Sequence, residues 1–310
     1  MNEQPSPHPP DASHGQETVV AAIERPFTLY QPALHIVPVL VDVPHAGRRY
    51  PSRFVEESRL NLRSLRRSED AFVDRLFART VELGAPMLVA EFPRAYLDVN
   101  REPYELDPRM FDGRLPAFAN TRSMRVAGGL GTIPRIVGDA HEIYVGRMKV
   151  EEALGRIDGL YRPYHGALRS LIQRTQSSFG TCILVDAHSM PSTGLDRDGL
   201  AKPDIILGDR FGTSAAGYIT DIAEEAFRKL GLSVTRNRPY AGGFITEHYG
   251  VPASGVHALQ IEINRALYMD EATLTPHQGF AALEQLIAKA MADCFARWSG
   301  WLDEWRQAAE

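Results

Sequence analysis

Four short segments carry residues able to hold a cation and move a proton: Pro44-His45-Ala46-Gly47, Ser68-Glu69-Asp70, Asp186-Ala187-His188-Ser189 and Gln260-Ile261-Glu262-Ile263-Asn264-Arg265. Two neutral imidazoles and one carboxylate form a three-ligand set that leaves a fourth position on Zn²⁺ for water. An ion held this way lowers the pKa of water from about 15.7 to about 7 and polarises a carbonyl brought to it, which suits hydrolysis of an amide. No single segment establishes such a site. A histidine after a strand is commonly a hydrogen-bonded structural residue, and acidic residues such as Glu69 and Asp70 at a helix start also serve as caps or partners of the helix dipole.

Glu262 is harder to explain structurally. In His257-Ala258-Leu259-Gln260-Ile261-Glu262-Ile263-Asn264 the alternation puts Ala258, Gln260, Glu262 and Asn264 on one face and Leu259, Ile261 and Ile263 on the other. Its carboxylate then lies on a strand that otherwise reads as core, where it needs a partner. Asp186 and His188 share a strand face. Asp186 could bind the ion itself, orient His188 or support another ligand; a hydrogen-bonded support for the ligands is the preferred role. His248 and His257 remain possible donors at the site, whereas Ser189 and Ser192 lack the GxSxG elbow of a nucleophile.

A second signal is arginine. Residues 92–111, FPRAYLDVNREPYELDPRMF, form a long loop-like segment holding Arg94, Arg101 and Arg109 beside Tyr96, Asn100 and Tyr104, and Arg265 directly follows the Glu262 strand. Guanidinium forks match carboxylates in bidentate fashion, so several arginines beside a cation suit a small dicarboxylate carrying an amide. A phosphate ligand is disfavoured, because neither GxxxxGK[ST] nor GxGxxG occurs. The segment Gly242-Gly243-Phe244-Ile245-Thr246-Glu247-His248-Tyr249-Gly250 reads as a glycine-flanked loop forming a wall or lid of the pocket.

These residues need a scaffold. Short apolar runs at 35–44, 86–93, 181–188, 204–209 and 257–264 read as buried strands ending in polar residues. Helical spacing marks 72–81, a long stretch at 141–176 broken near Pro163, 215–230 and 277–305. This alternation predicts an α/β fold with helices on both faces of a mainly parallel or mixed sheet, and a site beyond the carboxyl ends of its strands. The 310 residues, 44% hydrophobic and 24% charged, can bury a sizeable core. No repeat or compositional break divides residues 26–310, which read as one catalytic domain. Residues 1–25, with four prolines in the first ten, read as a flexible tail. A net charge of −5 without a basic block excludes an electrostatic footprint for nucleic acid or anionic membrane. No apolar run is long enough to span a bilayer, and two cysteines, Cys182 and Cys294, are too few for a disulfide framework, so a cytoplasmic location is expected.

Taken together, VPHAGRRYP (43–51), SEDAFVDRLF (68–77), residues 92–111, VDAHSMPS (185–192), PYAGGFITEHYG (239–250) and HALQIEINRALYMDE (257–271) resemble the N-formylglutamate amidohydrolase family. The resemblance implies a three-layer α/β/α sandwich akin to zinc carboxypeptidases and cell-wall amidases, and metal-dependent hydrolysis of N-formyl-L-glutamate to formate and L-glutamate. It further implies His45, Glu69 and His188 as ligands of Zn²⁺ or another divalent ion, with Asp70 or Asp186 as the alternative to Glu69, and Glu262 as general base. Arg94, Arg101, Asn264 and Arg265 would take the two substrate carboxylates, with Asp186 supporting the ligands and His248 near the substrate. Ala46 stands where the family often has serine. Alternatives are a zinc amidase acting on another N-acyl amino acid or a peptide amide, and a non-catalytic binder of small acids.

Overall fold

The computed structural model describes residues 18–193 and 202–309. Its centre is a seven-stranded sheet of β1 (Phe27–Tyr30), β2 (Val39–Val43), β3 (Met87–Ala90), β4 (Cys182–Met190), β5 (Ile205–Gly208), β6 (Val234–Arg236) and β7 (Val256–Asn264). Across the sheet the order is β6-β5-β7-β4-β2-β3-β1. The four central strands β7, β4, β2 and β3 run parallel, while β1 lies antiparallel to β3 and β5 antiparallel to β7. The sheet is therefore mixed, with a parallel centre. The five apolar runs became strands; the edge strands β1 and β6 are additional, and each is only three or four residues long.

Period-two alternation splits the core into two layers. Val39, Val41, Ile183, Val185, Leu259 and Ile261 face one side, where they pack with α3 (Gly217–Lys229) and α5 (Phe280–Ala309), the latter delivering Ile287, Met291 and Trp298. Leu40, Leu88, Leu184 and Ala258 face the other side, covered by α1 (Val150–Arg156), α2 (Arg162–Phe179) and α4 (Phe244–Tyr249). The result is the three-layer α/β/α sandwich expected. Among the described residues no helix is long and apolar enough to cross a membrane.

Local chemistry corrects several expected boundaries. Residues 141–149 do not join the long helix, and the break near Pro163 is a five-residue π-turn, Ile157–Tyr161, that carries the chain from α1 into α2. Proline lacks the N–H for a bond to residue 159 and its ring crowds that carbonyl, so a wider turn is accommodated there. The 72–81 segment is not one helix. It comprises a turn at Val73–Leu76 and a 3₁₀ turn at Ala78–Thr80, entered through Phe72 at φ 66°. The segment 242–250 read as a loop contains α4. Thr18–Val20, inside the stretch read as tail, pairs in parallel with Arg49–Pro51, and residues 1–17 lie outside the described residues.

Gly47 joins the His45 turn to the end of β3. A Cβ there would lie 2.2 Å from the Phe92 carbonyl oxygen and 2.7 Å from that of Ala90. Both obstacles are backbone, so neither can swing aside. Gly47→Ala should cost about 1–3 kcal/mol in urea-unfolding free energy through overpacking, and an unchanged midpoint would show that this approach is not tight.

Candidate active site

Parallel register places the chemistry. β4 pairs with β7 so that His188 lies beside Glu262 and Asp186 beside Gln260, while Asp186 also lies beside Asp42 of β2. All belong to one alternating set of side chains at the carboxyl edge of the central strands. His45 follows β2 directly and Asp70 follows the turn at residues 62–69, whose main chain is tied to His45 by the Asp70 N–H donating to the His45 carbonyl at 3.0 Å.

His45, Asp70 and His188 form a buried group whose candidate ligand atoms lie within 4.8 Å of one another. Asp70 Oδ2 is 3.3 Å from His45 Nδ1 and 2.9 Å from His188 Nδ1. At the opposite ring nitrogens, His45 Nε2 is hydrogen-bonded to Asp98 Oδ1 at 2.8 Å, and His188 Nε2 lies 2.7 Å from Asp186 Oδ1 and 3.1 Å from the Asn100 amide nitrogen. With the proton on Nε2 of each ring, both Nδ1 lone pairs would face the Asp70 oxygen. Three acceptors pointed at one another repel unless a proton or a cation joins them. His45 Nδ1 is buried and makes no hydrogen bond, as expected of a ligand atom, so these residues fit a divalent ion. Burial opposes charge on His188, but Asp186 and Asp70 outweigh it and hold the imidazole well above its ordinary range. Burial likewise opposes charge on Asp70, and the two histidines hold it well below the usual carboxylate range. Protons thus bind where a metal would compete with them.

Glu69 is not part of this group. Its Oε1 accepts from the Tyr50 hydroxyl at 2.6 Å and from Arg66 Nε at 3.1 Å, so the neighbouring carboxylate, Asp70, faces the two histidines instead. The reason is local geometry: adjacent residues in a turn point in different directions, and only one of the two can face His45. Asp186 Oδ1 lies beside His188 Nε2, the ring nitrogen opposite the one that faces Asp70.

Glu262 is buried and lines a cavity of about 320 Å³ together with Asp70, Arg67, Arg94, Ser189, Tyr240 and Arg265. That volume lies at the small end of ligand pockets, about 300–1,000 Å³. Burial first, then the carboxylates of Asp70 and Asp186, push Glu262 up to about 7 against the pull of His188 and Arg94. Arg94 donates through Nε to Asp98 at 2.9 Å. Arg265 donates through Nη2 to Asp70 Oδ1 at 2.9 Å and through Nε to Ser189 Oγ at 3.1 Å, so part of its fork steadies Asp70.

Three expected substrate contacts do not line the cavity. Arg101 is buried and spends its guanidinium on the carbonyls of Leu130 and Asn100, a strut for the 92–111 segment. Asn264 accepts from the Ala266 N–H and donates to the Pro203 carbonyl, closing the turn after β7. His248 is exposed on α4 with its ring stacked on Phe244 at 4.9 Å. His257, at the opposite end of β7, accepts from the Ala216 N–H at 3.3 Å. Asp98 and Arg67 escaped the sequence reading. Arg67 adjoins the Ser68-Glu69-Asp70 motif, whereas nothing local distinguishes Asp98 from the other polar residues of its loop.

An α/β/α scaffold with a buried His-Asp-His group, a buried glutamate and arginines at its carboxyl edge defines an enzyme site able to hold a cation. Residues 37–269 match the family model described as N-formylglutamate amidohydrolase. N-formylglutamate deformylase of Pseudomonas putida is 29% identical over 269 residues, covering 84% of this chain and 93% of that protein. The Pseudomonas aeruginosa protein of the same name is 31% identical over 242 residues, 76% and 83% respectively. The crystal structure of N-formylglutamate amidohydrolase from Ralstonia eutropha JMP134 superposes with a TM-score of 0.82 at 34% identity, covering 90% of this chain and 99% of that one. The chain belongs to the N-formylglutamate amidohydrolase family, hydrolases acting on a C–N amide bond.

The adjacent acids are separable by experiment. Asp70→Ala should weaken Zn²⁺ binding, measured by chelator competition, by more than the about 10–100-fold that supporting residues contribute. Glu69→Gln should keep the metal and lose about 1–3 kcal/mol of stability from its buried hydrogen bonds. The reverse pattern would assign the ligand to Glu69.

Proposed function

We propose that the protein hydrolyses N-formyl-L-glutamate to formate and L-glutamate with a divalent ion, Zn²⁺ by donor chemistry, held by His45, Asp70 and His188. The observation that carries this reading is the convergence of both Nδ1 atoms on Asp70 Oδ2, with one of them left without a hydrogen bond. The relatives' names support the substrate. Two imidazoles and one carboxylate suit zinc and leave room for a water.

When bound, the ion supplies Lewis acidity to the formyl carbonyl and acidity to a water. Glu262 takes the proton of the attacking water and returns it to the leaving amide nitrogen, so that formate and the free amine of glutamate result. Burial equips it for this work, because a carboxyl near 7 is a stronger base than one at its ordinary value and still releases the proton. Arg94, Arg67 and the part of Arg265 not committed to Asp70 supply the positive charge that favours a dicarboxylate, and Tyr240 completes the wall. The small cavity favours a free amino-acid derivative over a folded peptide segment.

Formate release from N-formyl-L-glutamate should disappear with chelator and return with Zn²⁺; turnover unaffected by chelation would remove the metal from the reading. Glu262→Gln should lose about 10²–10⁴ in kcat while still binding the ion, and wild-type turnover in that variant would exclude Glu262 as base. The base acts deprotonated, so kcat/KM should fall as pH drops below about 7. A bound cation favours the carboxylate and moves that limb lower, never higher. N-formyl-L-glutamine in place of N-formyl-L-glutamate should lose efficiency through the missing side-chain carboxylate.

A further inference from the structure

Two buried carboxamides outside the proposed ligand and base set are arranged alike. Gln260 Oε1 accepts the Gly243 N–H at 2.8 Å while its Nε2 donates to Glu262 Oε1 at 2.8 Å. Asn100 Oδ1 accepts the Ile245 N–H at 2.8 Å while its Nδ2 lies 3.1 Å from His188 Nε2 and 3.4 Å from Asp186 Oδ2. A backbone N–H can only donate, so each amide oxygen must face it, and each NH₂ group must face the acidic centre. The Asn100 NH₂ group is thus within reach of both Asp186 Oδ2 and the His188 ring and ties one to the other.

We propose that the start of α4 is the fixed reference for both halves of the active site: through Gln260 it orients the base Glu262, and through Asn100 it orients the Asp186–His188 pair. Gln260 and Asn100 are positioning residues, and neither is a wall of the cavity. Gly243 permits the arrangement, since a Cβ on it would lie 2.4–2.6 Å from the Asn100 amide atoms. Thr246 Oγ1 donates to the Gly243 carbonyl at 2.9 Å and secures the turn from the other side. Asn100 also joins the two histidine supports, because its own N–H donates to Asp98 Oδ1, which lies 2.8 Å from His45 Nε2.

The geometry makes the two amides different in consequence. Gln260→Met keeps volume but removes both hydrogen bonds, and should lower kcat about 10–100-fold, the usual worth of an outer partner, with KM and Zn²⁺ affinity within about threefold of wild type. Gln260→Glu, which sets a carboxylate against Glu262, should be the more damaging, whereas a purely space-filling Gln260 would tolerate both. Asn100→Leu should instead weaken Zn²⁺ binding about 10–100-fold in chelator competition, and Gly243→Ala should lower both kcat and metal affinity. Wild-type kcat in Gln260→Met, or wild-type Zn²⁺ affinity in Asn100→Leu, would overturn the corresponding half.

This inference rests on Glu262 being the base and on His188 binding the ion, and substrate-free amide exchange separates its failure from theirs. The Gly243 amide should exchange faster in Gln260→Met and the Ile245 amide faster in Asn100→Leu; protection unchanged in both would refute the anchoring even if the wild type hydrolyses N-formyl-L-glutamate. Wild-type protein that fails to turn this substrate over would reject the proposed reaction, with exchange and Zn²⁺ titration still deciding the anchoring.

Discussion

Crowding of like acceptors in a dry place is the constraint around which the rest of this structure is organised. Asp42, Asp70, Asp98, Asp186 and Glu262 are all buried at one edge of the sheet, where Arg94 and Arg101 pair with Asp98 and Arg265 pairs with Asp70. With both histidines neutral, the ionised carboxylates would outnumber these three arginines. Water cannot relieve that excess in the interior, so protons or a metal ion must. Part of it is met by protonation: burial, then the proximity of Asp186, pushes Asp42 well above the ordinary carboxyl range, with the Tyr164 hydroxyl donating to it at 3.2 Å. The His45, Asp70 and His188 group is where the remaining positive charge is most favoured.

The parallel centre of the sheet makes this concentration possible. Four adjacent strands ending on the same side bring the chain together at one edge, and in-register pairing sets His188 beside Glu262 without any loop having to reach across. The opposite side chains of the same strands, Val185, Ile261 and Val41 among them, are ordinary core. A single strand therefore serves stability with one face and chemistry with the other, and a one-residue slip would exchange the two. Loops supply what strands cannot. The 92–111 segment, free of regular structure over most of its length, delivers Arg94, Asp98 and Asn100, with the Asp98 carboxylate accepting from both the Arg94 Nε and the Asn100 N–H.

Arginine illustrates how tertiary context assigns roles to identical side chains. Arg94 and Arg265 reach the cavity, whereas Arg101, seven residues beyond Arg94 and equally basic on paper, is folded under the Leu130 carbonyl, where burial lowers it to about 10. Residue type set the possible partners of these groups. Which partner each received depended on where the fold turned it.

Much could be read along the chain. Alternation and helical spacing specified five of the seven strands, the two-faced packing of helices and the strand face on which Glu262 stands, because those signals are local and repeat over several residues. His45, His188 and Asp186 were legible as strand-end residues for the same reason. That Asp70 rather than Glu69 faces the two histidines was not, since adjacent acids in a turn look alike until the direction of each side chain is known. Nor were Asp98, Asn100 and Gln260 distinguishable as anchors, because their partners lie 53, 145 and 17 positions away. The chain's own order determined which groups were available and on which face of each element they stood; the packed tertiary structure decided which of them met, because convergence in space depends on register and turn direction, and neither is encoded by any single residue.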